Sequence, residues 1–272
     1  MIISITDDFN LYKIANCGQC FRGVEIKDGV YRFITKENVI YLKEAENNPK
    51  TSHTTKLDIS ATKSEWEKIW MPYFDMERSY KDVRALIKDD SYLENAANLG
   101  QGIRILRQDA FEMLITFIIS QRKSIPAIRT SVERISKLHG KKLKTDYETI
   151  YAFPTAEKLA NAKDLESCGL GYRLPYILEA SKDVKSGLLD LDKLYSYDDE
   201  ELFNALKEVK GVGDKVSNCI CLFAFNRTAR APVDVWIKRV IDDQYNGINP
   251  FPKYGENAGI MQQYMFYAAK NQ

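Results

Sequence analysis

The rhythm of apolar and polar positions changes once along this chain. From Phe21 to Glu44 they alternate, and Tyr31-Arg-Phe33-Ile-Thr and Val39-Ile-Tyr41-Leu-Lys have the two-residue period of strands. Asp28-Gly29, between Ile26 and Tyr31, supplies a hairpin turn of the kind that needs positive φ. Together these predict an antiparallel sheet. Asn47 to Lys56 is polar and predicts a loop. Three- and four-residue spacing then takes over. Ser64 to Met71 predicts a helix with Trp66, Ile69 and Trp70 inward, and Ser79 to Ile87 predicts another. Asp109 opens a long apolar helix running through Phe111, Met113 and Phe117. From Leu206 to Val240 the pattern gives a helix ending at Lys210, a tight Gly211-Val212-Gly213 hairpin and a second helix. That helix places Val216, Cys219, Ile220 and Phe223 on one face, and Pro232-Val233-Asp234 precedes a third. Gly259 to Phe266 reads as a helix near the end of the chain.

Strands first and helices after predict an α+β fold. An N-terminal antiparallel β-sheet subdomain over 1–100 is followed by a helical domain over 101–272. With 272 residues, 44% hydrophobic and 28% charged, the chain has the composition of a soluble globular protein with a large core. Its net charge of +1 gives no bulk argument for a nucleic-acid partner, so any such argument rests on local patches. Two exist. Between Gln121 and Lys144, Arg122, Lys123, Arg129, Arg134, Lys137, Lys141, Lys142 and Lys144 face only Glu133 among acids. Between Ala205 and Val240, Lys207, Lys210, Lys215, Arg227, Arg230, Lys238 and Arg239 outnumber Glu208, Asp214 and Asp234. Either run also fits an ordinary solvated face.

The five scattered cysteines argue against a disulfide framework. Cys17-Gly-Gln-Cys20 has CxxC spacing, but no second pair completes a zinc site, and no metal is expected. MIISITDDFN has neither the basic region nor the apolar core of a signal peptide, and no apolar run reaches membrane-spanning length. A reducing, cytoplasmic setting without membrane association is expected.

Several residues carry candidate chemistry. The Gly211-Val212-Gly213 hairpin serves either as a helix corner or as a phosphate cradle, because amides of a glycine turn and the following helix N-terminus attract anions. Lys215 alone reads as a solvated lysine, and Asp234 alone as an N-cap of the next helix. Gly169-Leu170-Gly171 is a second corner, with Tyr172 and Arg173 beside it. Gln262 and Phe266, four apart, share one helix face.

Taken in order, these segments closely resemble the helix-hairpin-helix plus Gly/Pro-Asp motif of the DNA glycosylase superfamily. Lys215-Val-Ser-Asn-Cys219-Ile-Cys221 and Pro232-Val-Asp234-Val resemble its 8-oxoguanine branch, as do Gly18-Gln19-x-Phe21-Arg22 and Gly169-Leu-Gly-Tyr172-Arg173. The resemblance runs from Gly18 to Phe266. The four-cysteine cluster of the iron–sulfur relatives is absent from the sequence.

The resemblance implies a bifunctional glycosylase and abasic-site lyase acting on duplex DNA that contains 8-oxoguanine, working as a monomer without a cofactor. Lys215 would be the nucleophile, and Asp234 would orient or deprotonate it and stabilise positive charge on the sugar. The Gly18 carbonyl would accept from the N7–H that distinguishes 8-oxoguanine from guanine. Gln262 would read the base edge, and Phe266 and Cys219 would sandwich the ring. Gly211, Val212 and Gly213 would hold phosphate, while Arg122, Tyr172 and Arg173 would meet the opposite strand. Arg122 stands where eukaryotic members carry asparagine and Ala127 where they carry arginine, which implies weaker selectivity for cytosine opposite the lesion. A glycosylase for alkylated bases keeps the aspartate but lacks the lysine, so Lys215 argues against it. A non-catalytic helix-hairpin-helix DNA-binding protein, or a glycosylase for another damaged purine, are the alternatives.

Overall fold

The structure is a computed structural model that describes residues 1–45 and 54–271. Internal contacts divide the chain into two compact units. The first holds 1–33, 40–107 and 226–272, and the second holds 34–39 and 108–225. This division differs from the change of sequence character near residue 100.

Unit one opens with β1 (Ile2–Ile5) and α1 (Leu11–Asn16). β2 (Val24–Lys27), β3 (Val30–Thr35), β4 (Asn38–Glu44) and β5 (Thr55–Ile59) follow. Among the described residues they form a five-stranded sheet in the order β1-β5-β4-β3-β2. β1 pairs antiparallel with β5, with Ile3 opposite Leu57, and Gly29, at φ 73°, turns the β2–β3 hairpin. The sequence pattern did not predict β1 or β5. Thr55 and Lys56, expected in a loop, belong to β5, and residues 47–53 of that expected loop lie outside the described residues.

The helix predicted with Trp66, Ile69 and Trp70 inward shares one core with the sheet residues Phe33, Ile40, Leu42 and Leu57. α2 (Lys63–Glu65), opened by a Thr62–Glu65 capping box, passes through a π turn at Trp66–Trp70 into α3 (Met71–Tyr73). Trp66, Trp70, Tyr73 and Phe74 stack edge-on or tilted against one another, and Phe33 of β3 meets Tyr73 and Phe74. α4 (Tyr80–Ala85) and α5 (Ser91–Leu99) are capped by Ser79 and Asp90.

Asp75 and Arg104 are buried in this unit and are supplied with partners, as burial of charge demands. The Asp75 carboxylate accepts from Arg78 Nε (2.8 Å), Tyr80 Oη (2.9 Å), Arg107 Nη2 (2.7 Å) and Asn226 Nδ2 (3.2 Å). The Arg104 guanidinium donates to the carbonyls of Phe74, Asp75, Arg78 and Asp8 and to the Asp7 carboxylate.

Unit two contains α6 (Ala110–Ser120), α7 (Ile125–His139), the short hairpin β6 (Lys142–Lys144) and β7 (Thr149–Tyr151), and α8 (Ala156–Ala160). α9 (Leu174–Ser186), α10 (Asp199–Lys207) and α11 (Asp214–Phe223) complete it. Asp109 caps α6 through the Glu112 amide, as the sequence predicts. α6 is buried along nearly its whole length and packs against α7, α9 and α11. The β6–β7 hairpin was not expected in the helical half.

The chain then returns to unit one with α12 (Val235–Tyr245) and α13 (Ala258–Asn271). α13 packs on α5 and α12 and carries an unbroken buried run from Ala258 to Met265.

Candidate active site and DNA-binding surface

The predicted residues divide between the units. In unit two, α10 ends at Lys207, three residues before the sequence suggests, and tight turns close the gap to α11. The Val209 amide donates to the Leu206 carbonyl (3.2 Å) and the Val212 amide to the Val209 carbonyl (2.9 Å). Gly211 is left-handed at φ 87°, and a Cβ there would lie 2.6 Å from the Tyr176 ring. Gly213 is extended at φ −102° and is the N-cap of α11, with open space around the position of its missing Cβ. No side chain caps α11, so its first-turn amides are left for an outside acceptor. Val212 is different: it is buried and its amide is spent on Val209, so it anchors the turn.

Lys215 sits in that uncapped first turn. It is half-buried, with Nζ 5.5 Å from the centroid of the Phe117 ring, and Phe117 stacks on Phe223. Within its own unit Lys215 Nζ makes no hydrogen bond or ion pair. Cys219 lies one helical turn further along the same face and is 3% exposed.

The segment between α6 and α7 is fastened on both sides of Arg122. Gln121 Nε2 donates to the Gly211 carbonyl (2.9 Å), and the Arg173 guanidinium donates to the Gln121 carbonyl. Lys123 Nζ donates to the Gly169 carbonyl (2.7 Å) and to Ser131 Oγ (2.5 Å). Burial, with Arg173 and Arg134 nearby, pulls the Lys123 ammonium below its ordinary value. Arg122 itself is exposed, in a left-handed backbone conformation at φ 49°. A non-glycine residue there costs about 1 kcal/mol and is kept where the surroundings over-determine it. The loop therefore presents one cation at its tip. Tyr172 is half-exposed, with the Arg173 guanidinium 4.4 Å above its ring. Arg173 is 8% exposed and its donors serve the Gln121 and Leu170 carbonyls, so in this structure it braces the loop.

In unit one, Asp234 caps α12, as its sequence position suggests. Oδ1 accepts from the Trp236 amide (3.0 Å) and the Ile237 amide (2.9 Å), which fixes the carboxylate, while Oδ2 has no partner among the described residues of the unit.

Gly18 follows α1 at φ 84°. Its neighbours are held on both sides. The Cys17 carbonyl accepts from Gln263 Nε2 at 2.5 Å. The Gln19 amide, wholly buried, donates to the Arg104 carbonyl (2.7 Å) and accepts from the Leu106 amide (2.8 Å). Burial pushes the Cys17 thiol up to about 11, so it stays neutral.

Gln262 is 4% exposed, yet its Oε1 has no hydrogen-bond partner among the described residues. Leaving a buried amide oxygen unsatisfied costs about 1–3 kcal/mol, which a ligand donor would recover. Phe266, four residues on, is half-buried. The roles of Gln121, Lys123, Gln19 and Gln263 were not predicted. The only signal for them is a polar side chain in an otherwise apolar or turn-forming context.

Among the described residues no group of three or more His, Cys, Asp or Glu could hold a metal ion, and no helix is long and apolar enough to cross a membrane. All five cysteines are buried and outside disulfides.

The chain is similar to known proteins over almost its whole length. Residues 1–114 match the model of the 8-oxoguanine DNA glycosylase N-terminal domain. The probable N-glycosylase/DNA lyase of Methanothermobacter thermautotrophicus is 31% identical over 228 residues, 72% of either chain. The structure of MBOgg1 with a low-affinity DNA ligand is 33% identical at a TM-score of 0.90, covering 99% of this chain and 95% of that one. The 8-oxoguanine glycosylase/lyase of Clostridium acetobutylicum, in complex with double-stranded DNA containing cytosine opposite 8-oxoguanine, is 33% identical. Its TM-score is 0.88, covering 100% of this chain and 98% of that one.

Proposed function

The chain belongs to the 8-oxoguanine DNA glycosylase/lyase family, and from that premise we propose which of its residues perform the reaction. The protein is a bifunctional DNA glycosylase that removes 8-oxoguanine from duplex DNA and cleaves the strand at the abasic site. The observation that carries the residue assignment is Lys215 Nζ, without a hydrogen bond or ion pair in its unit, over the Phe117 ring and in the uncapped first turn of α11 directly after the glycine hairpin.

A base inside duplex DNA is out of reach, so the nucleotide is flipped out. Gly211, Gly213 and the first-turn amides of α11 take backbone phosphate, with Val212 anchoring the turn. The Arg122 tip faces the gap the base leaves, Tyr172 flanks it with its exposed ring, and Arg173 holds the loop in place. The Gly18 carbonyl and the Gln262 amide read the base, and Phe266 and Cys219 supply an aromatic face and a polarizable sulfur for the ring.

Lys215 Nζ, neutral, forms a bond to C1′ of the deoxyribose, and the bond from C1′ to the base breaks with its electron pair. Asp234, fixed by its two amide donors, receives the proton from the amine and offsets positive charge on the sugar. Ring opening gives a Schiff base between Nζ and C1′. Its electron sink permits loss of a C2′ proton and expulsion of the 3′ phosphate. Hydrolysis then returns the free lysine. No step in this sequence requires a cofactor. We place the enzyme in the cytoplasm, at the nucleoid of a cell without a nucleus, acting as a monomer.

Borohydride trapping tests the assignment. Wild-type protein is expected to form a covalent adduct with an 8-oxoguanine duplex, and Lys215→Gln to form none. A wild-type protein that binds this duplex and never traps would support the non-catalytic reading. Trapping that is stronger with another oxidised purine would move the substrate.

A further inference from the structure

The Gly18 carbonyl is the acceptor assigned to the N7–H of 8-oxoguanine, so its direction governs discrimination between lesion and normal base. A glycine at φ 84° gives no steric control over that direction. Control comes from the neighbouring peptides. The Cys17 carbonyl belongs to the peptide plane that ends in the Gly18 nitrogen, and Gln263 Nε2 holds it at 2.5 Å across 246 residues of sequence. On the other side the Gln19 side chain is locked to the Arg104 carbonyl and Leu106 amide. Gln263 is 2% exposed and comes from α13, where the preceding residue is the proposed base reader Gln262.

We infer that Gln263 is a positioning residue for lesion recognition: it fixes the Gly18 carbonyl relative to Gln262, so that one helix sets both hydrogen-bonding groups of the base pocket. The inference rests on the proposed reading of Gly18 and Gln262. It places no group of Gln263 on the substrate. Adjacent side chains on a helix point about 100° apart. One therefore reaches the Gly18 turn while its neighbour keeps an unspent oxygen. Rotation of the Cys17–Gly18 peptide would misdirect the acceptor without moving Lys215 or Asp234.

The test separates base recognition from the chemistry that follows it. Release of 8-oxoguanine needs the base pocket, whereas strand cleavage at a preformed abasic site does not. Gln263→Met keeps the volume and removes the donor. Under single-turnover conditions its release of 8-oxoguanine is expected to fall about tenfold or more, with abasic-site cleavage within about twofold of wild type. Gln263→Glu is the second variant, because a carboxyl donates only when protonated. Its 8-oxoguanine release, relative to wild type, is expected to recover as the pH falls from about 8 to about 6, with relative abasic cleavage level. Unchanged release in Gln263→Met overturns the inference. So does an equal fall in both activities together with a pH-independent ratio in Gln263→Glu, the signature of a merely structural role. Wild-type protein that cleaves abasic sites but releases no 8-oxoguanine would instead overturn the underlying reading of the base pocket.

Discussion

Gln121 Nε2 donates to the Gly211 carbonyl at 2.9 Å, joining the loop that presents Arg122 to the glycine turn that precedes Lys215. The same amide also donates to the Ile118 carbonyl at 3.1 Å, so it is held at the C-terminus of α6. The loop and the proposed phosphate site are thus parts of one hydrogen-bonded arrangement within unit two. Gln121→Met removes the donor at little change in volume. We expect duplex affinity to fall about threefold to tenfold, the worth of one such hydrogen bond, for lesion and abasic DNA alike. Fluorescence anisotropy on both duplexes checks this, and a loss confined to one of them would contradict it.

The two glycines of the hairpin are expected to fail differently. A Cβ at Gly211 would meet the Tyr176 ring at 2.6 Å and would sit on a left-handed backbone, so Gly211→Ala should destabilise the fold by about 1–3 kcal/mol. Gly213 has open space and an extended backbone. Gly213→Ala should leave the thermal midpoint within about 2 °C of wild type, and its methyl group should obstruct phosphate. Thermal melts read the first effect and a salt titration of duplex binding reads the second, since lost phosphate contacts reduce the salt slope.

The contrast between these glycines shows what the sequence carries and what it does not. The spacing Gly-x-Gly-x-Lys and the N-cap position of Asp234 were legible, because caps and turns are local chemistry. α6, α11 and the β2–β4 strands were legible for the same reason: their apolar periods are their own. β1 and β5 were not, since each is short, and β1 pairs with β5 across more than 50 residues of chain, with Ile3 opposite Leu57. The return of 226–272 to unit one leaves no periodic mark either. It is written in single polar contacts such as Asn226 to Asp75 and Gln263 to Cys17, which no window of sequence can reveal. Arg173 shows the opposite limit. Its motif suggests a DNA contact, and the structure adds a bracing role that the motif does not carry, through its bonds to the Gln121 and Leu170 carbonyls.

Arg122 is the exposed tip of its loop and Ala127 offers no hydrogen-bonding side chain. A guanidinium donates only, so it can bond acceptors on any opposite base but cannot match the amino group of cytosine. Single-turnover release of 8-oxoguanine is expected to vary by less than about tenfold among duplexes carrying the four opposite bases. Arg122→Asn supplies an acceptor as well as a donor and should steepen the preference for cytosine. A wild-type preference for cytosine of several hundredfold would refute the expectation.

Asp90 makes acid stability a test of unit one. It caps α5 through the Leu93 amide and accepts from Tyr245 of α12 and from Lys253 and Tyr254 in the turn before α13. Burial alone would raise its carboxyl pKa, but these donors outweigh burial and hold it below the ordinary value. A carboxylate depressed in the folded state stabilises above its unfolded pKa, and that stability is lost as pH falls through the folded value. The protein should therefore lose stability below about pH 4, beyond what its exposed carboxylates explain. Asp90→Asn keeps the shape but loses charge-assisted bonds worth about 1.5–3 kcal/mol, so at neutral pH its thermal midpoint should drop by about 3–10 °C. Because the variant has no carboxylate left to protonate there, the gap from wild type should narrow as the pH falls below about 4. Parallel melting curves across that range, with the gap unchanged, would show that the Asp90 cluster is not what the acid transition reports.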